Sequence, residues 1–550
     1  MSILLVCMEQ GKCKKMNSAV HNDQILKIKT AEVKYMKPEI TEIEKSFSKT
    51  YRKCAEMCQK MGSDQTIAMS HGEVEKCIQT EGVEWLRQLF QDHLDLRTER
   101  EEKAQGAVGQ DGMARIAGRS HERQLESIFG TVSVKRRSYG KKGEQSIHPL
   151  DVELNLPPEK YSHGLQRMAA IEAARGSYDE ALEAVERYTH GNVPKRQAEE
   201  LMKKIVCDFE AFYAQPVFVQ VMSASLLVLS LDAKGIVMRH EDLREATRQA
   251  AEKNQHKLSK RLSKGEKKNR KRMATAATVY SVASHPRTPS EVVKECYPHD
   301  EKPARPKPVG KRVWASVEKE VETIVAEMFA EAMQQDPEKQ KDWVALVDGN
   351  KTQIRLLEKK AKEEKVKVTI IVDIIHVLEY LWKAAYAFHS SGSQEAQNWV
   401  SDKLFRILQG KSSLMAAGMR RQATHAKLTG GKREAVDDCA QYLLNYKPYL
   451  RYHLYLGQGY PIATGVIEGV CRYLIKDRMD RTGARWSLKG AEAILKLRSL
   501  VSSGDFDTYW IFHESQEKQR HYSGIRKIFT TPTLLARKVE KQDDDSQKVA

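Results

Sequence analysis

Three acidic residues of the 550-residue chain stand where acids can do chemistry: Asp232, Asp348 and Glu468, spaced 116 and 120 residues apart. The first two each close an apolar run, LLVLSLD and WVALVD. The third lies in TGVIEGVCRYLIKDRMDRTGARWS. Carboxylates at the ends of neighbouring strands face one edge of a sheet, where α/β proteins carry their sites. A glutamate on a helix packed against that edge completes such a cluster. Three acids held together repel one another unless cations neutralise them. Mg²⁺ takes carboxylate oxygens and keeps positions open for water and phosphate. Two such ions suit phosphodiester hydrolysis or strand transfer. An aspartate at a strand end is equally a turn residue or a helix cap, so position alone leaves both readings open.

The surroundings of Glu468 sharpen the first reading. On a helix, Glu468, Arg472 and Lys476 follow an i, i+4, i+8 spacing and share one stripe. Such a stripe offers metal-binding oxygens at one end and phosphate-binding cations beyond; an ordinary exposed ion-pair stripe has the same residues. Gly465, Gly469, Cys471 and Gly483 keep the segment lean enough for close approach of something bulky. Arg478 and Arg485 add cations able to grip phosphate, and Trp486 could stack a base or anchor the end of a domain.

Several elements must position these groups. Residues 223–232 predict a buried strand ending at Asp232, with a turn at Gly235 and a second strand starting at IVMR. Residues 275–283 predict another strand, and 286–308 a proline-rich loop. An amphipathic helix is expected over 313–334, then short strands at 342–348 and 366–373 with a helix between them. From His376 to about Tyr446 the pattern is mostly helical, and 464–478 makes a further helix. Alternating strands and helices imply an α/β domain with a mixed sheet. Upstream, 83–103 reads as a helix and 130–139 as a strand, in a hairpin. Helices are expected over 165–190 and from Pro194, joined at His190–Asn192. This pair is a candidate helix-turn-helix over 178–207, with Lys195 and Arg196 opening its second helix, or else a packed helical hairpin.

The corresponding division is a polar extension over 1–80, loosely ordered in part, and an N-terminal region over 81–215. A catalytic core follows over 220–375, then a helical block over 376–462, core completion over 463–500 and a C-terminal region over 501–550. In the core, residues 256–272 form a basic loop that includes Lys267, Lys268, Arg270, Lys271 and Arg272.

Charge points to the partner. Lys and Arg number 91 against 74 Asp and Glu, a net charge of +17. Such an excess fits a polyanionic partner. The composition excludes a disordered or collagen-like chain. No segment has the roughly 20 apolar residues of a membrane span, so no membrane partner is expected. The start is a poor signal peptide, and nine scattered cysteines with no CxxC pair suit a reducing cytosol. There is no Gly-rich nucleotide fingerprint, GKS/T loop or nucleophile elbow, so no small-molecule cofactor is expected.

The blocks LLVLSLDAKG, WVALVDGN, IIVDIIHVLEYLW and TGVIEGVCRYLIKDRMDRTGARW, in this order, resemble DDE transposases of bacterial insertion sequences, specifically the ISKra family. FGTVSVKRRSY, HPLDVELNLP and GSYDEALEAVERYTHGNVPKRQAEEL resemble its N-terminal region, and FDTYWIFHESQEKQRHY its C-terminal end. The resemblance covers roughly residues 80–523. It implies an RNase H-like mixed-sheet catalytic core with a helical insertion, preceded by a mainly helical DNA-binding region. It further implies two Mg²⁺ ions, replaceable by Mn²⁺, and cut-and-join chemistry at the inverted-repeat ends of a mobile element. The implied catalytic and metal-binding acids are Asp232, Asp348 and Glu468. The family usually has glycine after the first acid, where this chain has Ala233.

Asp373, in VDIIHVLEYLW, competes for the place of second acid. Related transposases carry a similar signature where a helical insertion begins, so Asp373 and His376 are read as accessory. Implied partners are double-stranded DNA and a second copy of the chain, as a homodimer or higher oligomer on DNA, in the bacterial cytoplasm at the nucleoid. Two other readings stay open: an RNase H-like nuclease that only hydrolyses, and an inactive or domesticated DNA-binding derivative of a transposase.

Overall fold

The computed structural model describes residues 42–215, 225–253, 264–296 and 304–529. Its nine strands in chain order are β1 (Gly106–Val108), β2 (Ala114–Ser127), β3 (Gly130–Gly140), β4 (Leu226–Val237), β5 (Lys271–Val282), β6 (Val309–Ser316), β7 (Asp342–Val347), β8 (Val368–Val372) and β9 (Arg526–Ile528). They form two sheets, β3-β2-β1-β9 and β6-β5-β4-β7-β8. The chain is a mixed α/β protein. No described helix is long and apolar enough to cross a membrane.

The five-stranded sheet is the heart of the fold. β6, β5 and β4 run antiparallel, whereas β4–β7 and β7–β8 are parallel. Leu226–Leu231 are all buried, the pattern of a strand covered on both faces. Helix Val321–Gln335 buries Ile324, Val325, Met328 and Phe329. Phe329 meets Trp343 of β7 with ring centroids 5.9 Å apart. Helix Leu488–Ser503 adds Ile494, Leu495, Leu497 and Leu500 to the same core.

Two expectations for this sheet are corrected. β4 does not end at Asp232; it continues through Gly235 to Val237, paired throughout with β5. Gly235 is not among the residues of positive φ. A Cβ there would meet the Lys271 side chain at 2.8 Å, so glycine serves close strand approach rather than a turn. β6 runs from just beyond the expected loop into the first residues of the expected 313–334 helix, and the helix starts only at Val321. Arg312 hides the strand in the sequence, because its charge is absorbed by tertiary partners. It lies 3.4 Å from the Tyr213 ring centroid, stacks on Trp314 and pairs with Glu331. The expected loop also holds a helix, Pro289–Glu295, opened by a reciprocal Thr288–Glu291 cap.

The N-terminal half differs from its expected outline too. The described part of the 1–80 extension is helical: Glu42–Ser46, Ser48–Met61 and Asp64–Ile67 precede a helix over His71–Glu99. That helix runs through the expected 80/81 boundary. Buried Asp92 holds the layer together, accepting from Thr50 N at 3.0 Å, Thr50 Oγ1 at 2.7 Å and Gln88 Nε2 at 2.7 Å. Leu94 packs with Leu125, Val132 and Val134 of the β2–β3 hairpin. The helical pair Tyr178–Tyr188 and Lys195–Ile205 forms as expected, opened by a reciprocal Ser177–Glu180 cap and by Pro194. The helical block follows β8 directly, as Ile374–Phe388, Gln394–Leu408, Ser412–His425 and Gly430–Asn445. The last long helix, Phe506–Tyr522, returns to the N-terminal half, where Tyr522 donates to Leu156 O at 2.5 Å. Beyond it, β9 pairs with β1.

Candidate functional site

β4 and β7 lie side by side and parallel as far as Ser230 and Leu346. Just past that point both chains present an acid. Asp232 follows on β4, still paired with β5 through Ala276, and Asp348 follows the last residue of β7. A turn fixes Asp348: its Oδ1 accepts from Asn350 N at 2.9 Å, and the Asn350 side chain caps the next helix. Gly349 has φ +96°, which only glycine adopts without strain. Tyr446 of the helical block donates to the Gly349 carbonyl.

Glu468 comes from a short helix, Gly465–Val470. The straight stripe expected beyond it is interrupted, because Cys471–Lys476 forms one π-helical turn. Wide turns of this kind leave carbonyls to be satisfied from outside the helix. Arg498 does so, donating to Leu474 O at 2.8 Å and to Tyr473 O. Glu468, Arg472 and Lys476 nevertheless line one cavity with Asp232 and Asp348. The cavity has a volume of about 460 Å³. Lys234, His376, Glu379, Thr464 and Cys471 complete most of its wall.

Lys234, Arg472 and Lys476 share this wall, yet among the described residues no ion pair within 4.0 Å involves Asp232, Asp348 or Glu468. Asp232 accepts from Ala233 N at 2.6 Å, and burial together with Asp232 pushes the Cys471 thiol pKa well above its usual range. Three carboxylates face one cavity and offer only oxygen, the donor type that Mg²⁺ and Mn²⁺ take. Their oxygens do not all lie within 4.8 Å of one another, so an ion held by all three would require the side chains to draw together.

Asp373 takes a different place. It is fully buried and caps helix Ile374–Phe388, accepting from Ile375 N at 2.9 Å. Its other oxygen receives the Thr464 hydroxyl and lies 3.3 Å from His376 Nδ1. Thr464 Oγ1 is also 3.3 Å from Glu468 Oε1. Asp373 therefore does not line the cavity, whereas His376 does. The Asp373 hydrogen bond, chiefly, raises the His376 pKa above its usual value against the pull of burial.

The other expected DNA contacts separate into two groups. Lys195, Arg196, Arg478, Arg485 and Trp486 line a second cavity of about 650 Å³ that shares no wall residue with the first. Lys195, Arg196 and Arg485 are exposed there, and Lys195 pairs with Asp179 at 2.7 Å. Arg478 and Trp486 do not fit the expected phosphate and base contacts. Arg478 is 2% exposed and donates Nε to Ala173 O at 3.1 Å, at the C-terminal end of helix His163–Arg175. Its guanidinium lies 4.8 Å from the Trp486 ring, and burial lowers its pKa to about 10. Trp486 is buried, donates Nε1 to Met479 O at 3.0 Å and joins its backbone to Val237 and Arg239. Both face inward and anchor neighbouring elements, Trp486 through Met479 O and Arg478 through Ala173 O, while the buried Arg478 Nη2 has no hydrogen-bond partner among the described residues.

The expected basic loop 256–272 is a loop only in part. Residues 256–263 lie outside the described residues. Lys267 and Lys268 end a short helix, Lys264–Lys268, and Lys271 and Arg272 begin β5. Lys268 and Lys271 are exposed, but Arg270 is buried and Arg272 donates Nε to Val317 O at 2.9 Å. In the helical block, Trp399 is buried against Phe388, and Arg406 pairs with Asp402.

Sequence reasoning missed Lys234, Glu379 and Thr464, and singled out Cys471 only as a small residue. Simple periodicity was available for the first three. Lys234 is two residues past Asp232 on one strand face, Glu379 is one helical turn past His376, and Thr464 is one turn before Glu468.

No protein-family model matches the chain, and no curated protein matches it. Among solved structures, the chain is similar to the Drosophila P element transposase strand transfer complex. The identity is 8% and the TM-score 0.22, over 64% of this chain and 81% of that one. A likeness so distant assigns neither a fold nor an activity.

Proposed function

We propose that the chain is a DDE-type transposase with an RNase H-like core, acting on DNA at the ends of a mobile element. One observation carries the reading. Asp232, Asp348 and Glu468, widely separated in sequence, line one cavity beside Arg472 and Lys476, and none of the three forms an ion pair within 4.0 Å among the described residues. The strand order β6-β5-β4-β7-β8, with three antiparallel strands followed by two parallel ones, is in keeping with an RNase H-like sheet.

Asp232, Asp348 and Glu468 would hold Mg²⁺. Bound there, such ions lower the pKa of an attacking water and neutralise charge on the leaving 3′ oxygen. The chain's own residues supply the rest. Exposed Arg472, Lys476 and Lys234 hold the phosphates on either side of the scissile bond. Thr464 fixes the rotamer of Glu468, and Asp373 behind it fixes Thr464. Lys195, Arg196 and Arg485 hold DNA at the second cavity, and Lys267, Lys268 and Lys271 add sequence-blind affinity.

The test is incubation with Mg²⁺ and DNA carrying the sequences that flank the chain's own gene. Cleaved and joined products from wild type, lost in Asp348→Asn, support a transposase. Cleaved products that never join would make the chain a hydrolytic nuclease. Binding without cleavage would make it a DNA-binding derivative. Loss of activity with Asp373→Asn but not with Asp348→Asn would overturn the acid assignment.

A further inference from the structure

The turn between helices Lys195–Ile205 and Phe209–Tyr213 carries Cys207 and Asp208. It packs against the last long helix, where His513 and Glu517 are one turn apart and share a face. A ligand atom from each of Cys207, Asp208, His513 and Glu517 can be chosen so that all four lie within 4.8 Å of one another. Neighbouring ligands of a tetrahedral zinc site, with bonds of about 2.0–2.3 Å, stand roughly 3.3–3.8 Å apart, so binding would draw the outermost of these atoms about 1 Å closer.

The contacts inside the cluster show how a metal would fit. Asp208 Oδ2 lies 2.7 Å from His513 Nδ1 and 3.4 Å from Cys207 Sγ. Each contact is a proton shared between two atoms that could be ligands, and one cation could replace both. Arg520, on the same helix, grips the opposite oxygens, Asp208 Oδ1 and Glu517 Oε1. That leaves Asp208 Oδ2 and Glu517 Oε2 facing the cluster, with His521 Nε2 3.4 Å from the latter. Arginine in this position orients carboxylate ligands from behind and does not compete for their inner oxygens. Asp208 and His513 are buried, and exposed Cys207 provides the entry side.

We propose that Cys207, Asp208, His513 and Glu517 form a structural zinc site, with Arg520 as its outer support. On binding, the Cys207 thiol proton leaves to solvent, and His513 presents Nδ1 as its neutral Nε2–H tautomer. The mixed sulfur, nitrogen and oxygen set selects Zn²⁺ over Mg²⁺, which prefers oxygen alone. The four-ligand set leaves no position for substrate, so the site's task is to fasten the last long helix to the N-terminal half.

The test is cobalt substitution of the full chain, stripped of metal and titrated with Co²⁺ in excess Mg²⁺. The expected result is one equivalent bound, with a near-ultraviolet thiolate-to-cobalt charge-transfer band. Cys207→Ser should abolish the band. Cys471→Ser, which removes the thiol beside Asp232, should leave it intact. Glu517→Gln keeps the thiol and should weaken Co²⁺ binding at least tenfold, while Arg520→Gln should weaken it about 10–100-fold. No band in wild type, or a band that survives Cys207→Ser, would overturn the site. Asp232→Asn should not change the titration, so this result stands apart from the proposed DNA chemistry.

Discussion

Asp373 reaches Glu468 through a single hydroxyl: Thr464 donates to the buried Asp373 carboxylate and stands 3.3 Å from Glu468 Oε1. Thr464→Val should therefore act twice. It leaves Asp373 short of a donor, costing about 1–3 kcal/mol of stability, and it frees the Glu468 side chain. Thr464→Ser should restore both. Denaturant unfolding alongside DNA cleavage reads the two effects, and wild-type behaviour of the valine variant would remove Thr464 from the site.

The acids should be indispensable one by one. Metal-mediated charge stabilisation of several kcal/mol corresponds to about 10³-fold in rate or more. Asp232→Asn and Glu468→Gln should each lose at least that much cleavage. Both should still retard DNA in a gel, because neither carboxylate contributes to phosphate affinity. Cleavage within tenfold of wild type in either variant would refute the triad.

His376 gives the chain a pH signature. Its pKa is raised from about 6.5. The causes are first the Asp373 hydrogen bond, then the charges of Asp373, Glu379 and Asp348, working against burial. A raised folded pKa means stability that is fully present below about pH 6.5 and lost as pH rises through the folded value. Wild type should exceed His376→Gln in unfolding midpoint at pH 6, and the gap should narrow at alkaline pH. A gap independent of pH would show that the imidazole acts only by packing.

Trp486 and Arg485 are neighbours with opposite tasks. Trp486→Ala should cost about 3–5 kcal/mol of stability, with DNA affinity unchanged once corrected for the folded fraction. Arg485→Ala should leave thermal unfolding unchanged and reduce the salt dependence of DNA binding by about one phosphate contact. A stable Trp486→Ala protein with weakened DNA binding would reverse the assignment.

The acids were legible because each closes an apolar run or opens a compact helix, and such positions survive tertiary packing. Gly235 was misread because a glycine after an acid suggests a turn, whereas this one admits the Lys271 side chain between paired strands. β6 was hidden because Arg312 looks like surface and is instead clasped by Tyr213, Trp314 and Glu331, residues spread over more than 100 positions. The phosphate role of Arg478 failed for a related reason. Sequence gives a charge but not its direction, and this one turns inward to cap another helix at Ala173. The cluster of Cys207 with His513 could not be seen at all, since its halves lie about 300 residues apart.

The pairing of β9 with β1 sets an order of events during synthesis. Gly106–Val108 leaves the ribosome more than 400 residues before Arg526–Ile528, its edge partner. At about 5–20 residues per second, that interval is roughly 20–80 s. Throughout it the N-terminal sheet presents an open edge, the kind of surface on which chains join one another. The last described strand covers it only after Asp232, Asp348 and Glu468 have all been made, so the nascent chain closes its exposed edge after its acids are in place.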